Sequence, residues 1–166
     1  GNVIGGGDWS KNRIIPDAIR SLSLKKSLLI RNPSSTRPWQ HVLEPLCGYL
    51  ILSEKLYNNP IKYSHAFNFG PEMESNRTVE ELINEVFKYW KGSFQKEKEK
   101  SNAPHESGML NLDISKSLKL LNWKPIWDFE KTIEKTISWY MKFYQGENPF
   151  SLCRADLKSY MENLEN

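Results

Sequence analysis

The chain has 166 residues, of which 39% are hydrophobic and 26% are charged, and its formal net charge is +3. A chain of this size and composition can bury one core and is typical of a globular protein. It shows no apolar run of about 20 residues, no signal-peptide pattern and no arginine-rich stripe, which points away from membranes and nucleic acid as partners. Cys47 and Cys153 lie far apart without metal-ligand spacing. This is typical of reduced thiols in a cytoplasmic protein, and it predicts no metal site.

The first half of the chain alternates between short apolar runs and helical patterns. Residues 3–4 are predicted to end a buried strand, and a helix is predicted over 14–22, where apolar residues recur at helical spacing. Residues 28–30 and 39–43 are predicted to be extended. The helix predicted over 44–57 is apolar on most of its sides, so we expect it to be well buried.

The second half continues the alternation, with residues that mark where helices begin. Thr78 and Glu81 have the spacing of a capping box, and Asp128 is a candidate N-cap. The remaining predicted elements are strands at 66–69 and 110–112, a short helix from Asp113 to Leu121 that ends at Asn122, and a weaker helix at 154–164. The alternation favours an α/β layered fold over a β-sandwich or a helical bundle. Because no linker-like segment divides the chain, we expect residues 1–166 to form a single compact unit.

A glycine run opens the chain. Gly1, Gly5 and Gly7 fit the spacing of a dinucleotide-binding loop. Such a loop opens directly into a helix whose N-terminus holds the pyrophosphate, whereas here residues 8–12 intervene before the first predicted helix. The run is therefore interpreted as a tight loop whose backbone closely approaches another group.

Several polar side chains fall near the ends of predicted elements. Arg13, Arg31 and Arg37 lie near loop ends, and guanidinium groups match phosphate oxygens in fork geometry, so a diphosphate is one candidate ligand. The alternative for each arginine is a solvated side chain that binds no ligand. Asn68 interrupts an apolar run, and a buried amide there needs a partner, either the backbone or a ligand.

No catalytic motif is visible. His41 and His105 have no serine or cysteine partner at a recognisable spacing. None of the tyrosines is followed by a lysine four residues later, which is the pair that a tyrosine-based enzyme of the short-chain type needs. We therefore expect no catalytic residue on this chain.

Four blocks of sequence carry a resemblance to a known family. Gly-Asn-Val-Ile-Gly-Gly-Gly-Asp-Trp at 1–9, Arg-Ile-Ile-Pro-Asp at 13–17, Ile-Arg-Asn-Pro at 30–33 and Arg-Pro-Trp-Gln-His-Val-Leu-Glu-Pro-Leu at 37–46 closely resemble the CDP-glucose 4,6-dehydratases. These enzymes belong to the extended short-chain dehydrogenase/reductase family. The match continues in order at 68–71, 104–106 and 121–125. The family usually has glycine at position 122, where this chain has asparagine, which tolerates the same backbone conformation.

The resemblance implies a fold and a reaction. We expect the carboxy-terminal fragment of a longer protein, with the last Rossmann strands near 1–5 and 40–70 interleaved with a smaller substrate-binding domain. NAD would be held by an amino-terminal Rossmann domain that this chain lacks. The whole enzyme, expected to be a homodimer, would oxidise C4 of CDP-glucose, eliminate water across C5–C6 and return the hydride to C6. The glycine loop, the acid–base pair and the Tyr-x-x-x-Lys all precede this region in the family, so the chain alone is expected to be inactive.

The resemblance also assigns substrate-binding positions. They are Asn2 and Arg37 at the diphosphate, Arg13 and Ile14 at the helix start, Ile30 and Arg31 beside the base, and Asn68 and His105 on the far side. Two alternatives remain. One is another nucleotide-sugar dehydratase or epimerase of the same family, and the other is a non-catalytic nucleotide-binding module.

Overall fold

The computed structural model describes residues 2–97 and 110–164, which form an α/β structure. In chain order its strands and α-helices are β1 (Asn2–Ile4), α1 (Ile14–Ser23), β2 (Leu28–Ile30), β3 (Thr36–His41), α2 (Leu43–Asn58), α3 (Pro60–Tyr63), β4 (Asn76–Thr78), α4 (Val79–Tyr89), β5 (Phe94–Lys96), α5 (Phe129–Tyr144) and α6 (Pro149–Leu164). A 3₁₀ turn at Met73–Ser75 and a π-helical segment at Ser117–Leu121 complete the described elements. None of the described helices is long and apolar enough to cross a membrane.

The strands form two small sheets. In the first, β1 pairs in parallel with β3, with Asn2 opposite Trp39, and β3 pairs antiparallel with β4. In the second, β2 and β5 are parallel, with Leu28 opposite Phe94. Parallel neighbours need a long crossover, and here α1 and β2 lie between β1 and β3 in the chain. The amino-terminal end of α1 is thereby placed beside both sheets.

Helices α1, α4 and α5 bury apolar stripes in the main core. The stripes consist of residues spaced three or four apart, as expected of helices with one apolar side. Residues with almost no exposed surface in these stripes include Ile15, Ile19, Leu82, Ile83, Ile133 and Ile137. A smaller apolar cluster surrounds Trp123 and contains Phe69, Ile114 and Leu121.

The helix ends predicted at Thr78, Asp128 and Asn122 are confirmed. Thr78 Oγ1 accepts a hydrogen bond from the Glu81 amide at 3.1 Å, and the Glu81 carboxylate accepts one from the Thr78 amide at 2.7 Å, which completes the capping box of α4. Asp128 caps α5 by accepting from the Lys131 amide at 2.8 Å. Asn122 has a φ of 53° and ends the π-helical segment in the left-handed conformation.

Two predicted strands are wrong. Residues 66–69 and 110–112 form no strand, and in each segment a backbone group bonds a side chain instead of a neighbouring strand. Gln40 Nε2 donates to the Phe69 carbonyl at 2.9 Å, and the Leu112 amide donates to the Asn111 side chain at 2.7 Å. Helix α6 begins at Pro149, earlier than predicted, since proline is well tolerated in the first turn of a helix.

The expectation that α2 is well buried is also wrong. One side of α2 packs inward through Glu44, Pro45 and Gly48. The opposite side exposes Leu46, Tyr49, Leu50 and Tyr57, the last with 90% of its surface accessible. A helix that is apolar all round is normally covered on every side. Here these side chains keep 46% to 90% of their surface exposed, including Tyr49, whose ring packs edge-on against Phe69.

Candidate functional site

A cleft of about 360 Å³ lies where β1, the start of α1 and the ends of β2 and β3 meet. Five of the predicted substrate-binding residues line it, and they are Asn2, Arg13, Ile14, Arg31 and Arg37. They come from four separate stretches of the chain, so the fold brings together positions that are distant in sequence.

The amino-terminal end of α1 faces the cleft. Arg13 is the N-cap residue, with an extended backbone, and its side chain makes no capping hydrogen bond. The amides of Ile14 and Ile15 belong to the first turn, where N–H groups have no partner within the helix. Pro16 has no N–H to offer. This end of α1 carries the positive end of the helix dipole and suits an anion.

Arg13 forms an ion pair inside the cleft. Its Nη1 donates to Asp8 Oδ2 at 3.3 Å, and 62% of the Arg13 side chain is exposed. Burial raises the pKa of Asp8, but hydrogen bonds from Ser10 and Arg13 outweigh it, so the net effect lowers the pKa. An exposed pair of this kind contributes about 0–1 kcal/mol. Arg13 can therefore turn toward an anionic ligand at little cost.

Arg37 and Arg31 differ in their surroundings. Arg37 is 9% exposed in β3, and its Nη1 donates to the Thr36 carbonyl at 2.9 Å. Arg31 is exposed and follows β2. The next residue, Asn32, has a φ of 45°, and its carbonyl accepts from the Ser35 amide at 3.1 Å. That turn connects β2 to β3 and places both arginines on one cleft.

The other three predicted residues do not line the cleft. Ile30 is fully buried beneath it. Asn68 is exposed outside it and donates to the Asp113 carbonyl at 3.1 Å, so its amide bonds the backbone. His105 lies outside the described residues. The roles of all three remain predictions.

The glycine loop packs against α5. A Cβ atom on Gly6 would overlap the indole ring of Trp139. Tyr140 donates its hydroxyl to the Asp8 carbonyl at 2.6 Å. The group that the glycine backbone approaches is therefore a helix of the same chain. This contact was not predicted from the sequence.

A buried carboxylate lies away from the cleft and joins three elements. Glu44 of α2 is fully buried and accepts from the amides of Ile126 and Trp127 at 3.0 and 2.8 Å. It also accepts from the Tyr160 hydroxyl of α6 at 2.7 Å. Burial raises the pKa of Glu44, and these hydrogen bonds only partly offset that effect. Its contacts indicate a structural role.

His41 is buried beside the same loop. Its ring lies 4.8 Å from that of Trp127, and its Nδ1 accepts from the Leu43 amide at 3.3 Å. Burial, together with the charge of Lys135, lowers the pKa of His41 to about 4. It is neutral near pH 7 and is not part of the cleft.

Comparison with known proteins identifies one curated relative over nearly the whole chain. No protein-family model matches. CDP-glucose 4,6-dehydratase from Salmonella typhimurium is 40% identical over 161 residues, which are 97% of this chain and 45% of the relative. The chain thus spans less than half the length of that relative.

Solved structures of nucleotide-sugar enzymes share the fold. UDP-glucuronic acid 4-epimerase from Bacillus cereus matches with a TM-score of 0.70 and 19% identity, over 86% of this chain and 44% of the epimerase. dTDP-glucose 4,6-dehydratase from Bacillus anthracis, solved with NAD, matches with a TM-score of 0.68 and 16% identity, over 85% and 42% of the two chains. At these identities the likeness concerns the fold alone.

The resemblance and the α/β fold class predicted from the sequence are both confirmed. The chain is a relative of CDP-glucose 4,6-dehydratase with the fold of the extended short-chain dehydrogenase/reductase enzymes, and it spans less than half of that relative's length.

Proposed function

We propose that this chain is the nucleotide-sugar-binding part of a CDP-glucose 4,6-dehydratase. The observation that carries the proposal is the cleft that collects Asn2, Arg13, Arg31 and Arg37 beside the start of α1. In the proposed reaction the whole enzyme converts CDP-glucose to CDP-4-keto-6-deoxyglucose with NAD. We also propose that it works in the cytoplasm as a homodimer.

The charges of the cleft suit a diphosphate. Arg13 is balanced by Asp8, and Asp17 is paired with Arg20. Arg31 and Arg37 line the same cleft and bring two further guanidinium groups to it. Guanidinium groups bind phosphate oxygens in fork geometry, and the first-turn amides of α1 add further donors.

The residues described here do not fit an NAD site. The loop after β1 does not open directly into α1, and its Gly6 backbone is covered by Trp139. No pyrophosphate can approach the backbone at that point. We propose that NAD binds to a part of the enzyme outside this chain, so that hydride transfer and elimination depend on residues that this chain lacks. The chain alone is then inactive.

A turnover assay tests the substrate. The full-length enzyme with NAD is incubated separately with CDP-glucose and dTDP-glucose, and loss of one water from the sugar is followed by mass spectrometry. The proposal predicts dehydration of CDP-glucose. Turnover of dTDP-glucose without turnover of CDP-glucose would contradict the proposed substrate, and epimerisation without loss of water would contradict the proposed reaction.

A binding assay separates this proposal from a non-catalytic nucleotide-binding module. Calorimetry of the chain alone with CDP is expected to give weak binding, because the cleft has an open side. Tight binding by the chain alone, with no dehydration by the full-length protein, would favour the module instead.

A further inference from the structure

Arg20 of α1 joins this helix to the loop that precedes it. Its Nη1 donates to the Trp9 carbonyl at 3.1 Å, and its Nη2 donates to the Ser10 carbonyl at 3.0 Å. Nη2 also pairs with the carboxylate of Asp17, one turn earlier in the helix. A guanidinium group holds its donors in a planar fork, so it can serve two adjacent carbonyls and a carboxylate at the same time.

The loop segment that Arg20 holds lies between residues of the cleft. Asp8 lines the cleft just before this segment, and Asn12 and Arg13 line it just after. The Ser10 amide donates to Asp8 Oδ1 at 2.9 Å, and Asp8 Oδ2 accepts from Arg13. The residues that line the cleft in the described part of the chain do not include Arg20. Arg20 therefore reaches the cleft only through the loop and through Asp17.

The opposite side of the same loop rests on α5. The ring of Trp9 lies 5.2 Å from the ring of Tyr140 and 5.3 Å from that of Phe143. Aromatic rings at these separations attract each other. The Trp9 side chain is thereby held by α5 while its carbonyl is held by Arg20 of α1. Without Arg20 the carbonyl side of the loop loses its attachment to α1.

Arg20 also balances a negative charge at the cleft. Asp17 lies in the first turn of α1 and lines the cleft. A carboxylate stabilises this end of a helix, because the helix dipole is positive there. The same carboxylate repels an anionic ligand at that end. Its pairing with Arg20 reduces this repulsion.

We infer that Arg20 is a positioning residue for the diphosphate of the nucleotide sugar, which it does not touch. It fixes the loop that carries Asp8 and Arg13, and it offsets the charge of Asp17. The inference rests on the proposed function, since it assumes that a nucleotide sugar occupies the cleft. Residues that hold the ligand contacts of a site in place increase affinity by reducing the cost of ordering them on binding.

Calorimetry of the full-length enzyme with CDP-glucose tests the inference. Arg20→Ala is expected to bind about tenfold more weakly than the parent, because the loop loses two charge-assisted hydrogen bonds and Asp17 loses its partner. Arg20→Lys keeps a positive charge beside Asp17 but cannot reproduce the fork, so its affinity should lie between those of Arg20→Ala and the parent. Arg154→Ala, at an exposed arginine of α6, is the matched control and should bind like the parent.

Two further measurements separate positioning from a purely structural role. In turnover with NAD, Arg20→Ala should raise the KM for CDP-glucose about tenfold and leave kcat within about twofold, as expected when ground-state and transition-state binding are lost equally. Millimolar guanidinium chloride should restore part of the affinity of Arg20→Ala, whereas sodium chloride at the same concentration should not. The Arg20 side chain is 35% exposed, so a free guanidinium ion can reach its place.

The results distinguish a failure of the inference from a failure of the proposed function. A parent enzyme that does not bind CDP-glucose would overturn the proposed function, and the inference with it. If the parent binds CDP-glucose, a folded Arg20→Ala or Arg20→Lys enzyme that binds it equally tightly would overturn the inference alone. A fall in kcat at unchanged KM, or guanidinium that restores affinity no better than sodium chloride, would also overturn it.

Discussion

The hydroxyl of Tyr140 in α5 donates a hydrogen bond of 2.6 Å to the carbonyl of Asp8, in the loop that leads into the cleft. Burial raises the pKa of Tyr140, so the hydroxyl stays protonated and remains a donor. The same loop carries Gly6 against Trp139 and presents the Asp8 carboxylate to Arg13. Helix α5, which does not line the cleft, thus fixes the position of a cleft residue.

Replacing Tyr140 with phenylalanine should loosen this loop. Tyr140→Phe removes the donor to the Asp8 carbonyl and is expected to lower the free energy of unfolding by about 1–3 kcal/mol. Chemical denaturation measures the loss. Tyr144→Phe, at a half-exposed tyrosine on the same helix, is the control and should leave the stability almost unchanged. Equal stability of Tyr140→Phe and the parent would show that the contact contributes nothing.

Gly6 should not tolerate a side chain while Trp139 is present. Gly6→Ala is expected to cost about 1–3 kcal/mol, because its Cβ overlaps the indole. Trp139→Leu should relieve part of that overlap, so the effects of the two substitutions should not be additive in a double-mutant cycle. Unfolding free energies of the four proteins provide the test. Additive effects would mean that the overlap is not the source of the cost.

Substitutions of Asp8 and of Arg13 should change the affinity for CDP-glucose in opposite directions. Asp8→Asn removes a negative charge from the cleft and is expected to tighten the binding of CDP-glucose to the full-length enzyme by a few fold. Arg13→Gln should weaken the binding of CDP-glucose. The difference in affinity between the two variants should shrink as salt is added. Glu134→Gln, at an ion pair away from the cleft, is the control. Weaker binding after Asp8→Asn would contradict the charge balance described above.

His41 should make the fold sensitive to acid. Burial lowers the pKa of His41 from its ordinary value of 6.5 to about 4 in the folded chain. The stabilisation by neutral His41 is fully present above pH 6.5 and is lost as the pH falls toward 4. The loss amounts to about 3 kcal/mol. His41→Gln cannot titrate, so its unfolding free energy should fall less over this range than that of the parent.

The matched control for that measurement is His65→Gln, at a histidine that is exposed after α3. This variant removes an exposed histidine and leaves His41 in place. If His41→Gln and the parent lose equal stability between pH 6.5 and 4, protonation of His41 is not the cause of the acid sensitivity.

Local features of the fold were predictable from neighbouring residues. The capping box of Thr78 and Glu81 and the cap at Asp128 depend on atoms three residues apart, so the sequence contains all the information they need. The strand wrongly predicted at 66–69 failed for a long-range reason. The Phe69 carbonyl is satisfied by the side chain of Gln40, 29 residues away, which removes the need for strand pairing.

The candidate site was predictable in part. The arginines were found near loop ends, and the resemblance grouped them before the fold brought them to one cleft. Asp8 was missed, because a counter-charge is recognised only when its distance from Arg13 is known. For Asn68 the sequence allowed either the backbone or a ligand as the partner of its amide. The observed partner is the Asp113 carbonyl, 45 residues further along the chain.

The most direct test of the proposed site is the affinity of the full-length enzyme for CDP-glucose, measured by calorimetry before and after Arg37→Met. Hydrogen bonds to charged groups contribute about 1.5–3 kcal/mol, so the variant should bind roughly ten to a hundred times more weakly. Its thermal unfolding is recorded alongside, because Arg37 is buried, and Arg154→Met on α6 should bind like the parent. A folded Arg37→Met enzyme that binds CDP-glucose as tightly as the parent would contradict the account.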